Sequence, residues 1–254
     1  MSWAARRRLI IVGGLSAVLV AFLSVVLISA LYEAPSCGDG VRNQGEAGID
    51  CGGPCRYLCT ADERAPVVLF TQALSNGDGR TDVIALVQNS NALAGARNVP
   101  YTITLYGAGK SFIQKVSGVL DLPPGGTVPV FIAGISSGHA NVIRAFLDID
   151  PTAPRWVAMD HDPSIRPAVS NILITGTTSA PRIDAVLTNQ SVIDMENVQV
   201  VVFVRNVLGD VIAASKTIVP SLPGGEQVIA TFTWNSPFRD IPTTIEARPI
   251  VPIP

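Results

Sequence analysis

Apolar positions along the chain form one unbroken run and, further on, a period of two. The run is Leu9 to Leu31, LIIVGGLSAVLVAFLSVVLISAL, 23 residues without a charge. As a helix rising ~1.5 Å per residue it covers ~35 Å, enough to cross a bilayer with some tilt. Arg6, Arg7 and Arg8 precede it and the next basic residue is Arg42. The positive-inside bias therefore predicts a cytoplasmic basic tail at 1–8, a transmembrane signal anchor at 9–32, and everything after Tyr32 outside. A cleaved secretory signal would have an apolar region of about 7–15 residues. Ser29-Ala30-Leu31-Tyr32-Glu33-Ala34 is also a poor small-x-small cleavage site.

From residue 66 the alternation marks β-strands, and the pattern occurs twice. Asn89 matches Asn189 at an offset of 100, while Asn98-Val99 matches Asn197-Val198 and Gly125-Gly126 matches Gly224-Gly225 at 99. Between these anchors Val83, Ala85 and Val87 correspond to Ile183, Ala185 and Leu187. Likewise Tyr101, Ile103 and Leu105 correspond to Val200, Val202 and Val204. Strands are predicted at 66–73, 80–89, 99–106, 111–116, 127–133 and 141–149, then at 171–178, 182–190, 198–206, 210–216, 226–234 and 243–250. Turn chemistry separates them, as in Asn76-Gly77-Asp78-Gly79, Gly107-Ala108-Gly109 and Leu122-Pro123-Pro124-Gly125-Gly126. Several short strands per copy with no long helical period predict an all-β ectodomain of two tandem Ig-like β-sandwiches, at 65–150 and 170–254. The Cys…Trp…Cys of true Ig domains is missing, so each core must hold by packing alone. The linker, 151–169, carries four prolines that stiffen it. Trp156 and Val157 are expected to pack it between the domains as a semi-rigid rod, and the Pro-rich tail from Pro249 is expected at a sheet edge.

All four cysteines, Cys37, Cys51, Cys55 and Cys59, fall in a Gly-rich module at 33–64. An even count in a short segment outside the membrane predicts a disulfide staple for a module too small for its own core, with three connectivities open. The zinc alternative wants C-x2-C pairs, whereas the short spacings here are both C-x3-C. Asp39, Asn43, Glu46 and Asp50 lie along the same loop and admit two readings. Their oxygens converge on a hard cation such as calcium, or they make local turns to the backbone. Gln44 stands at the sixth position counted from Asp39, where an EF-hand needs glycine.

The string from Cys37 to Cys55 resembles a short repeat of secreted bacterial surface proteins, C-x-D-G-x-x-N-x-x-E-x-G-x-D-C-G-G-x-C, with every fixed position present. That resemblance implies an extracellular location. In each later copy an Asn ends the second strand, an Asn-Val pair opens the third, and L-P-x-G-G or L-P-G-G precedes a strand. This arrangement resembles the FxLYD and CARDB-type Ig-like domains of bacterial and archaeal envelope proteins. The likeness implies surface display, adhesion or assembly, with no active site to carry over. The name-giving motif is altered, since the third strands read Ile103-Thr104-Leu105-Tyr106-Gly107 and Val202-Phe203-Val204-Arg205-Asn206.

Charge narrows the partners. Beyond the N-terminal segment the chain has 15 basic and 20 acidic residues, net −5, which argues against a nucleic-acid partner. Only two histidines are present. Asp160-His161-Asp162 lies in the linker, His139 in a turn without a G-x-S-x-G elbow, and Asn76-Gly-Asp78-Gly-Arg-Thr-Asp82 reads as a hairpin turn. Asn189-Gln190-Ser191 is a formal glycosylation sequon. No enzyme is expected and, calcium aside, no cofactor. The expectation is a single-pass envelope protein, held in membrane lipid by the transmembrane residues 9–31, that binds or scaffolds another envelope or surface protein or glycan. Its contacts are expected at a sheet edge or at segments 90–98 and 190–197. A subunit of an export or pilus-like machine, using the helix itself as the obligate contact, is the alternative.

Overall fold

A run of apolar residues free of proline favours a continuous helix, and in the computed structural model α1 (Trp3–Leu31) is one. The model describes residues 3–31, 36–76, 79–136, 140–159 and 165–253. The chain divides into two compact units, residues 1–54 and 55–254. In the first, Arg6–Ser29 has a mean hydropathy of 2.7 and buries none of its surface, so by length and composition this helix can cross a membrane. The cleavage-site residues from Tyr32 to Ala34 lie outside the described residues. Residues 36–54 then form turns rather than strands. Gly53 is indispensable to them, because its φ is +58° and a Cβ there would collide with the Gly45 carbonyl oxygen.

The second unit is built almost wholly from β-strands. In chain order they are β1 (Val67–Ser75), β2 (Arg80–Gln88), β3 (Ala94–Tyr106), β4 (Phe112–Leu122), β5 (Thr127–Ser136), β6 (Arg144–Asp148) and β7 (Val157–Ala158). There follow β8 (Ala168–Thr175), β9 (Arg182–Thr188), β10 (Met195–Arg205), β11 (Val211–Leu222), β12 (Gln227–Thr233) and β13 (Thr244–Ile250). All pairings are antiparallel. The sheets run β1-β2-β5 and β4-β3-β6 in the first copy, with β7 added to β3, and β12-β9-β8 and β11-β10-β13 in the second.

Alternation places the inward residues of both sheets of a copy in one core. Val83, Ala85 and Val87 of β2 meet Ile103 and Leu105 of β3 and Leu122 of β4. In the second copy Ile183, Ala185 and Leu187 meet Val200, Val202 and Val204, with Phe232 beside them. Burial of each of the Val, Ile, Leu and Phe side chains contributes about 1.5–3 kcal/mol.

The linker does not separate the copies as a rod. Trp156, 1% exposed, belongs to the first core, and Val157 pairs with Gly95 of β3. Instead the copies meet face to face. Ile84 points away from the core flanking Val83 and Ala85, and with Phe70, Leu74 and Phe131 it packs on Val201, Phe203, Val211, Ala214 and Ile250. A third apolar cluster, drawn from both copies, therefore lies at the seam. Phe70 and Phe203 cross edge to face at 5.8 Å, and the Arg205 guanidinium lies over both rings at 4.6 and 5.2 Å. At the rim Arg248 pairs with Glu246 at 2.7 Å and donates to Thr127 Oγ1 of the first copy. Past β13 the chain returns to the first copy, where the Ile253 amide donates to Asp121 Oδ2 and its side chain is buried. Pro254 lies outside the described residues.

Candidate functional site

The cysteines are joined as Cys37–Cys55 and Cys51–Cys59, one of the three open connectivities, and no described cysteine is free. No thiolate therefore remains there for zinc. Around them the acids meet the backbone. Asp39 Oδ2 accepts from the Ser36 amide and from Asn43 Nδ2, and Oδ1 from the Val41 amide. These bonds, the Asn43 side chain first, hold the Asp39 carboxyl below its ordinary range. Glu46, only 3% exposed, accepts from the amides of Asn43 and Asp50 through Oε2. Asp50 accepts from the Gly40 amide through both oxygens. Asn43 Oδ1 is buried without a hydrogen bond. Among the described residues the carboxylates of Asp39, Glu46 and Asp50 do not gather within one 4.8 Å group. The arrangement can tie turns as it stands, and Asn43 Oδ1 is the acceptor it leaves for a ligand.

The paired asparagines are structural corners. Asn89 Nδ2 donates to the carbonyls of Ala94 and Pro123, and its Oδ1 accepts from the Asn91 amide. Asn189 repeats this with the Ile193 and Leu222 carbonyls and the Ser191 amide. The sequon amide is thus consumed inside the fold. Of the expected binding segments, 90–98 buries Asn91, Ala94 and Ala96 and exposes Leu93, Arg97 and Asn98. Segment 190–197 exposes Val192 and Ile193. The Asp160-His161-Asp162 cluster, His139 and the Gly77-Asp78 turn tip lie outside the described residues.

Sequence reasoning missed a groove of about 750 Å³ over β3 and β6, where the β3–β4 turn meets the sheet face. Its floor is Tyr106 and Phe146, edge to face at 5.8 Å. Lys110, Arg144, Ile143 and Asp148 surround them. Register explains the assembly. Phe112, Tyr106 and Arg144 form one cross-strand row, then Lys115, Thr104 and Phe146, then Ser117, Thr102 and Asp148. Phe146 and Phe112 are 55% and 64% exposed, in adjoining rows of this face. The signal was present in the sequence, since two of only three lysines, Lys110 and Lys115, fall here. Against a net charge of −5 beyond the N-terminal segment, that concentration makes a basic and aromatic patch. Comparison with known proteins places the chain in no group: no protein-family model and no curated protein matches it.

Proposed function

We propose that this chain is a single-pass, membrane-anchored extracytoplasmic protein that binds or scaffolds another component of the cell envelope. Its two β copies act as Ig-like sandwiches, displayed as one block behind a disulfide module. The observation that carries the reading is the pairing of an unburied, uncharged 9–31 helix with a following segment whose cysteines are all oxidised, a state that persists outside the cytoplasm. The exposed aromatic and basic groove supplies a contact surface.

Topology tests the reading. With an epitope before Trp3, protease added to intact cells or spheroplasts should remove everything past the anchor and leave the tagged N-terminal fragment in the membrane. A β unit that resists protease until the membrane is lysed would overturn the proposal. Replacing 9–31 by an unrelated anchor separates the tether from the machine subunit. Retained function supports the tether, and loss supports the machine.

A further inference from the structure

We infer that the groove over β3 and β6 binds an acidic glycan, a polymer of sugar rings carrying carboxylates. The inference rests on the extracytoplasmic reading above and names the ligand class of that surface. Three features of the face match three features of such a polymer. Phe146, 55% exposed, and half-buried Tyr106 line the groove as an edge-to-face pair, an aromatic surface against which the C–H face of a sugar packs. Lys110 and Arg144 flank the rings, with Lys115 in the next row, and each cation pairs with a carboxylate. Thr104 lines the groove, and the Thr102 and Ser117 hydroxyls lie 3.5 Å apart in the adjoining row, so hydroxyls that both donate and accept extend the face beyond the cations.

Strand edges decide against the obvious rival, an acidic peptide added to β6. Such a peptide needs the outward backbone groups of β6. The Leu147 amide, which lies on that edge, is already bound to Thr71 Oγ1 of β1 at 3.3 Å. What remains open is the side-chain face, and it suits a ligand that binds by stacking, hydroxyls and charge. Asp148 sets a limit on the positive field at one end and orients the carboxylates toward Lys110 and Arg144.

The test uses the full chain in detergent and titrates it with oligogalacturonate, a length-matched neutral maltooligosaccharide, and oligoglutamate. Oligogalacturonate should bind at least tenfold more tightly than either control. Phe146→Ala, and separately the pair Lys110→Gln with Arg144→Gln, should each weaken it at least tenfold with the thermal midpoint unchanged. These side chains are exposed, so folding is not at stake. Oligoglutamate binding as tightly as oligogalacturonate would overturn the glycan in favour of an acidic peptide. Variants that bind like the unaltered chain, or no binding to oligogalacturonate, would overturn the site. Failure here leaves the topology result standing, and a protected β unit in the protease test would leave these affinities unchanged, so the two readings fail separately.

Discussion

Asn89 and Asn189 do the same work in the two copies, and their energetic weight can be measured. Each amide donates to two main-chain carbonyls, and each Oδ1 receives an amide two residues on. Alanine at Asn89 removes the donor to the Ala94 carbonyl and the acceptor of the Asn91 amide, so Asn89→Ala should cost about 2–4 kcal/mol in urea unfolding of the full chain. Asn89→Asp should cost no less, since a carboxylate cannot donate. Acid should act elsewhere. Asp39 has a depressed folded pKa, and a depressed carboxylate contributes stability that is complete above the unfolded value of about 4 and lost as pH falls through the folded pKa. Amide exchange at Val41 should therefore be independent of this group above about pH 5 and accelerate below about pH 4. Asp39→Asn should abolish the difference.

Secondary structure was largely legible because period-two patterning is a local property. The places where it misled have local physical causes. Asn98-Val99 and Asn197-Val198 were expected to open strands, yet both lie inside β3 and β10, which begin at Ala94 and Met195. Their asparagines sit at φ +51° and +52°, in the left-handed region Asn tolerates, so the strand bends there without ending. The glycine anchor also shifts by one. Gly125 N bonds Asn91 O as Gly225 N bonds Ser191 O, so Gly125 answers Gly225 at an offset of 100. Strand β11 runs to Leu222 through Pro220, which an edge strand can hold because a missing N–H costs nothing on its open side. Strand β4 continues through Gly118 for a different reason. The Tyr101 ring lies across it, and any Cβ would overlap the phenol. Gly118→Ala should displace Tyr101 and cost about 1–3 kcal/mol, read as a lowered thermal midpoint. Of the site, the cysteine and acid positions were readable, but the pairing was not, because three connectivities share one sequence. The groove was hidden because register, which no single strand encodes, brings Phe112, Tyr106 and Arg144 into one row.

At the scale of the whole β unit, the sequence held an unread sign of the seam. Val83-Ile84-Ala85-Leu86-Val87 and Val200-Val201-Val202-Phe203-Val204 are continuous apolar runs, which a half-solvated sheet does not need and a sheet covered on both faces does. The structure uses both parities, with Val83, Val87, Val200 and Val202 in the two cores and Ile84, Val201 and Phe203 in the seam. Two domains joined by such a layer should unfold together, whereas a rod with a stiff linker would melt in two independent steps. Calorimetry of the unaltered chain should give one transition for residues 55–254, with calorimetric and van't Hoff enthalpies in agreement. Phe203 is fully buried yet points out of the second core, so Phe203→Ala removes seam packing, about 3–5 kcal/mol, while leaving that core closed. It should split the single transition into two. Phe232→Ala offers the contrast, because Phe232 lies within the second core and its loss should lower one joint transition without dividing it. If the unaltered chain already melts in two steps, the seam does not couple the copies. If Phe203→Ala keeps one step, the coupling comes from the Arg248–Thr127 contact at the rim and the remaining seam side chains rather than from the rings.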